Sequence, residues 1–99
     1  MIRGSTPTHI FKLPCKADTL NKIRILYAQD DNILFTKKTE DCDRSDYSVS
    51  VKLTQEETFM FDCNKFVQIQ IRAATVRGDV IQSKIKTVTV GKCLDCEVL

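Results

Sequence analysis

Apolar side chains recur at every second position along most of this chain, and that period commits it to strands rather than helices. The clearest case is Tyr47–Leu53, where Val49, Val51 and Leu53 alternate with Ser48, Ser50 and Lys52. In Lys22–Ala28, Ile23, Ile25 and Tyr27 share one face and Arg24, Leu26 and Ala28 the other, which predicts a strand covered on both sides. His9–Leu13 reads as a short first strand stopped by Pro14, which has no N–H for a ladder. Gln29-Asp30-Asp31-Asn32 is a turn cluster, and Ile33–Lys38 reads as the returning strand of a hairpin. Two- and three-residue loops both give plausible registers there. Thr39–Asp46, polar and acidic, reads as a loop.

The period breaks at Thr54-Gln55-Glu56-Glu57. This is a capping-box pattern, in which Thr54 and Glu57 each satisfy the other's backbone N–H, and it predicts one helical turn. Phe59 and Phe61 then follow as a plug between strands. Phe66–Val76 and Val80–Val90 read as the longest hairpin, with a two-residue loop at Gly78-Asp79. That register sets Val67 opposite Val90, Ile69 opposite Val88 and Ile71 opposite Lys86. Gln68 then faces Thr89, and Gln70 faces Thr87. Towards the tip, Val76, Ile81 and Ile85 fall on the polar side. Either a bulge restores the alternation, or the tip shows apolar surface to a second sheet or another protein. Six strands, short connections and one helical turn predict an all-β fold, a small antiparallel β-sandwich or partly open barrel.

Ninety-nine residues suffice for one domain, 1–99. Residues 1–8 are expected as a flexible N-terminal arm and 91–99 as a C-terminal tail. No apolar run approaches the length of a membrane-crossing helix, so no membrane partner is expected. The net charge of +2 is scattered, and no basic run is longer than Lys37-Lys38. With no Trp and no basic stretch, nucleic acid is not an expected partner, although folding could gather Arg24, Lys37, Lys84 and Lys86. The five cysteines cannot all pair internally, and free thiols in a reducing compartment are the expectation. Cys93-x-x-Cys96 has zinc-ligand spacing but lacks a second pair among Cys15, Cys42, Cys63 and His9, so no metal and no cofactor is expected.

Residue types for catalysis do not assemble either. His9, the single histidine, has no marked nucleophile beside it, neither a Gly-x-Ser-x-Gly elbow nor a Gly-rich loop. Asp41, Asp43 and Asp46 suggest a calcium loop, but Asp46 stands at the glycine position and Lys52 at the glutamate position. Glu56 and Glu57 point apart on a helical turn, and the cap accounts for Glu57. The chain reads as a non-enzyme.

The opening Met1-Ile2-Arg3-Gly4-Ser5-Thr6-Pro7-Thr8-His9-Ile10-Phe11 resembles the start of a group of small proteins encoded in phages and prophages of Gram-positive bacteria. These tend to begin Ile-Arg-Gly-Thr-Thr-Pro-Thr-His. Val51–Thr58 and Val90-Gly91-Lys92-Cys93-Leu94 resemble the same group, so the similarity runs nearly end to end. Ser5 departs from the usual Thr. The resemblance implies a virion-associated or assembly protein acting in the host cytoplasm and in the virion. It supplies no catalytic residues. The expected partners are other phage structural proteins or a second copy, with Arg3, Val76, Ile81 and Ile85 as the interaction surface. The alternative is a small anti-defence protein that binds a host immune component or a nucleotide signal. For such a signal Arg24, Arg72 and Arg77 are the candidate phosphate contacts.

Overall fold

The structure, a computed structural model, describes residues 1–95 and 97–99. The Cys96 half of the Cys93-x-x-Cys96 motif therefore lies outside the described residues. The strands are β1 (Thr8–Lys12), β2 (Leu20–Gln29), β3 (Asn32–Lys38), β4 (Cys42–Ser45), β5 (Ser48–Lys52), β6 (Val67–Thr75), β7 (Val80–Gln82) and β8 (Lys86–Val88). Helix α1 (Gln55–Phe59) joins β5 to β6, and short 3-10 turns occupy Ala17–Thr19 and Thr39–Asp41. A small sheet runs β1-β5-β4 and a large one β3-β2-β6-β7, with β8 also paired to β6. All strand pairings are antiparallel, and neither sheet closes into a barrel. The expected all-β antiparallel sandwich is what forms.

Its core follows from the alternation. Val49, Val51 and Leu53 face Ile23, Ile25 and Tyr27 of β2 and Val67, Ile69, Ile71 and Ala73 of β6, and all are buried. Each such side chain removed from water stabilises the fold by about 1.5–3 kcal/mol where it is large. Phe61 fills the gap beyond α1. It is 1% exposed, with ring centroids 6.2 Å from Tyr27 and 5.5 Å from Phe35. The capping box holds α1: Glu57 N–H donates to Thr54 Oγ1 at 3.2 Å, and Thr54 N–H to Glu57 Oε1 at 2.8 Å. Glu57 also meets Lys37 Nζ at 2.7 Å, so the one inward charge on edge strand β3 is neutralised.

The β2–β3 loop is a two-residue type I′ turn, because Asp30 and Asp31 both take positive φ (51° and 62°). A bulge at Leu34 then restores the core face, with Tyr27 opposite Phe35 and Ala28 opposite Ile33.

Four details depart from the reading of the sequence. Among the described residues eight strands form rather than about six. The polar Thr39–Asp46 stretch contains β4, which pairs along β5 with Cys42 opposite Val51 and Arg44 opposite Val49. Arg44 also donates across to the Leu20 carbonyl at 2.9 Å.

The long hairpin turns through a three-residue loop, 76–78, in place of the expected two-residue loop, so partners near the tip shift by three residues: Ala73 lies opposite Ile81 where the expected register gives Lys84. Thr75 N–H donates to the Asp79 carbonyl at 2.8 Å and Gly78 N–H to the Thr75 carbonyl at 3.0 Å, with Gly78 at φ +92°. A three-residue loop of this kind places one residue in the left-handed region, and glycine takes that position without strain. Ala73 then faces Ile81, Ile69 faces Lys86 and Val67 faces Val88. An extra residue among Ser83, Lys84 and Ile85 makes the bulge, pinned where Ser83 N–H donates to the Ile71 carbonyl at 3.0 Å and Ser83 Oγ accepts from Ile71 N–H at 3.1 Å.

The N-terminal segment, expected as a free arm, is hydrogen-bonded to its own chain. Ile2 bridges Gly91 in parallel, and Arg3 N–H donates to the Gly91 carbonyl at 3.1 Å. Gly4 N–H reaches Thr58 Oγ1 at 2.9 Å and packs so close to the Phe59 ring that a Cβ there would lie 2.6 Å from it.

Candidate functional site

The residues expected to form one interaction surface are dispersed. Arg3 lies on α1, its guanidinium donating to the Phe59 carbonyl at 3.0 Å and stacked 5.7 Å from the Phe59 ring centre. Val76 stands at the hairpin tip, 70% exposed. Ile81 turns inward opposite Ala73 and packs on the core, because the three-residue loop shifts the register by an odd number of residues. Ile85, 56% exposed, is carried by the bulge to the outer side of the large sheet.

That outer side is the notable surface of the molecule. Along β2 the outward residues are Lys22, Arg24, Leu26 and Ala28. Residues directly opposite on neighbouring strands share their face. Arg24 lies opposite Lys38 of β3 and opposite Arg72 of β6, so three cations stand in one row across three strands. Arg72 Nε donates to Gln82 Oε1 at 2.7 Å, which extends the row to β7. Lys22 adds a fourth cation one step along β2, opposite Ala74. All four cations are exposed. The ion pairs of the described residues are Lys37–Glu57 and Lys65–Asp30, and neither involves this row.

In the other direction the face turns apolar. Leu26 lies between Thr36 and Gln70, and Ala28 between Ile33 and Gln68. With Ile85 they line a shallow depression of about 180 Å³. Ile33 is 59% exposed, so no described residue covers this patch. Asp31 closes its far end, where Gln68 Nε2 donates to Asp31 Oδ1 at 2.9 Å. The sequence reading named Arg24 and Arg72 and missed Lys22 and Lys38. The Lys22-x-Arg24 spacing shows that these two share a face, but only the β2–β6 and β2–β3 pairings bring in Arg72 and Lys38. Arg77, at the turn, and Lys37, turned inward, are not part of the row.

A second cluster lies between the sheets. His9 and Cys42 flank Val51 in one row of the small sheet, facing Tyr27 of the large one. His9 Nδ1 is 2.7 Å from the Tyr27 hydroxyl. Burial lowers the His9 pKa and raises that of Tyr27, so both groups are favoured in their neutral forms and share one hydrogen bond, whose donor is set by the imidazole tautomer. Burial, followed by Asp41, raises the Cys42 thiol, which favours the unreactive thiol form. The cluster is therefore arranged as a hydrogen-bonded strut across the core.

Among the described residues no group of three or more His, Cys, Asp or Glu side chains is placed to hold a metal ion. No helix among them is long and apolar enough to cross a membrane. No family model, curated protein or solved structure matches this chain.

Proposed function

We propose that this protein is a docking module, a phage-related structural or assembly subunit that acts by binding another protein. The observation that carries the reading is the outer face of the large sheet. Its exposed apolar patch of Ile33 and Ile85 beside Leu26 and Ala28 adjoins four cations that form no ion pair among the described residues, on strands whose other face is buried in the core. Contiguous exposed apolar surface beside charge marks interaction sites. The phage setting is supported by the N-terminal and Val51–Thr58 resemblance alone. A nucleotide-signal binder has less support: the depression beside Arg24 and Arg72 holds about 190 Å³ and lies open, whereas ligand pockets usually run from roughly 300 Å³ upward and enclose the ligand.

The test is photo-crosslinking from position 70 during particle production in the producing host, with Gln70 replaced by a benzophenone amino acid. The reading expects crosslinks to one or two defined particle or assembly proteins, and fewer intact particles when the gene is deleted. Unchanged particle yield with crosslinks spread over unrelated host proteins would overturn it.

A further inference from the structure

We infer that the large sheet's outer face receives an acidic amphipathic helix of a partner protein, laid along β2 with its carboxylates over the Lys38–Arg24–Arg72 row and its apolar side chains over Leu26, Ala28, Ile33 and Ile85. The inference rests on the docking reading and goes further, naming the chemistry and shape of what docks.

Three observations lead to it. The first is charge. Directly opposed like charges on adjacent strands destabilise a sheet, and here two such pairs, Arg24–Lys38 and Arg24–Arg72, meet at one residue that has no ion-pair partner among the described residues, the nearby Asp41 carboxylate accepting instead from the Lys38 backbone N–H at 3.0 Å. An anionic partner converts that repulsion into attraction. The second is the division of the face. Four cations stand in the Lys22–Arg24 half, beside Ala74 and the exposed Val80, while the Leu26–Ala28 half sets Leu26, Ala28, Ile33 and Ile85 among the uncharged Thr36, Gln68 and Gln70, so the occupant's carboxylates belong towards one end of its length. Lys22 to Ala28 spans about 20 Å of strand, which about 13 residues of α-helix match.

The third is that the face, rather than an edge, is open. β3 carries the inward Lys37 and the bulge at Leu34, and the β7–β8 edge is interrupted by the bulge at Ser83–Ile85. Such edges resist an added strand, whereas an uncovered sheet face is normally closed by a helix or by a second sheet. Nucleic acid fits less well. The exposed Phe66 stands just before β6, at the far end from the cationic row, and no aromatic residue takes an outward position within β2, β3 or β6, so bases bound at the cations have no stacking platform beside them.

The experiment uses fluorescence anisotropy with three labelled probes. One is a 14-residue helical peptide with glutamates on one face of its first two turns and leucines on the same face of its last two. The second is a peptide of the same composition with both residue types scattered around the helix. The third is a thymidine 12-mer. The inference expects the segregated peptide to bind at least tenfold more tightly than the scattered one. It expects that binding to weaken at least tenfold in Arg24→Gln/Arg72→Gln and to fall steeply between 50 and 500 mM salt. Thermal melts confirm that the variant is folded. Absent binding of the segregated peptide, or binding unaffected by the double substitution, would overturn the inference. So would tighter binding of the oligonucleotide that the substitution abolishes. If the Gln70 crosslinks to particle proteins persist in the double variant, the docking role stands and the acidic partner falls. If the wild type makes no such crosslinks, the docking role itself fails.

Discussion

Replacing Arg24 by Thr should make the isolated protein more stable. Arg24 is the centre of the cationic row, with Lys38 on one side and Arg72 on the other. Opposed Cβ atoms lie about 5 Å apart, and their charged tips spread to roughly 7 Å. In water that separation costs about 0.6 kcal/mol per pair, so Arg24 carries about 1.2 kcal/mol of repulsion before screening. A Debye length of about 30 Å at 10 mM salt leaves about 0.9 kcal/mol, and one of about 3 Å at 1 M leaves about 0.1. Threonine keeps good strand propensity at the site. The expected gain at low salt is about 4–7 °C in Tm for a domain of this size. Thermal and urea melts at 10 mM and 1 M salt measure it. Lys12→Thr, an exposed site opposite Ser48, removes the same charge without touching the row and should gain far less. A gain independent of salt, or equal in Lys12→Thr, would refute the reasoning. The repulsion would then belong to the whole molecule or be absent.

Three other perturbations probe the scaffold. Gln29 is buried, accepts from Asp62 N–H at 2.8 Å and donates to the Asp62 carbonyl at 2.8 Å. Gln29→Ala should therefore cost about 2–3 kcal/mol in urea melts and speed hydrogen exchange of the Asp62 amide, while an unchanged midpoint would contradict the clamp. Ile81→Asp should cost about 2–3 kcal/mol, since the carboxylate must enter the core beside Ala73. Val76→Asp, at the exposed tip, should stay within about 0.5 kcal/mol, and equal effects would mean that Ile81 faces outward. His9 has a folded pKa lowered by burial from the ordinary 6.5, so the unfolded chain binds the proton more readily. Its contribution is fully present above pH 6.5 and is lost as pH falls from there towards the lowered value, by up to about 1.4 kcal/mol per pH unit. Melts from pH 7.5 to 5 should show this slope, and His9→Asn should flatten it.

What the residues determine by themselves is local. Alternation at Val49, Val51 and Leu53 and at Ile23, Ile25 and Tyr27 settles which side chains are buried, because a strand presents successive residues to opposite faces whatever it pairs with. The Thr54–Glu57 cap is similarly legible, since both partners lie within one turn. Pairing is a different matter. The long hairpin misled the sequence reading because a two-residue and a three-residue loop around Gly78 are both sterically allowed. The choice between them depended on burying Ile81 against Ala73 and absorbing the extra residue at Ser83–Ile85. β4 was hidden for a related reason: its polar residues show no alternation, and it exists because β5 offers it an edge.

The candidate site was the least visible part. Alternation put Lys22 and Arg24 on one face of β2. Arg72, some fifty residues away in the chain, and Lys38 joined them only when β2 took β6 and β3 as neighbours. The Arg72 contact rewards the chain only after a long loop has closed, and no local pattern of residues encodes it; the Lys38 contact crosses a short hairpin, whose ambiguous register in the sequence kept the pairing hidden.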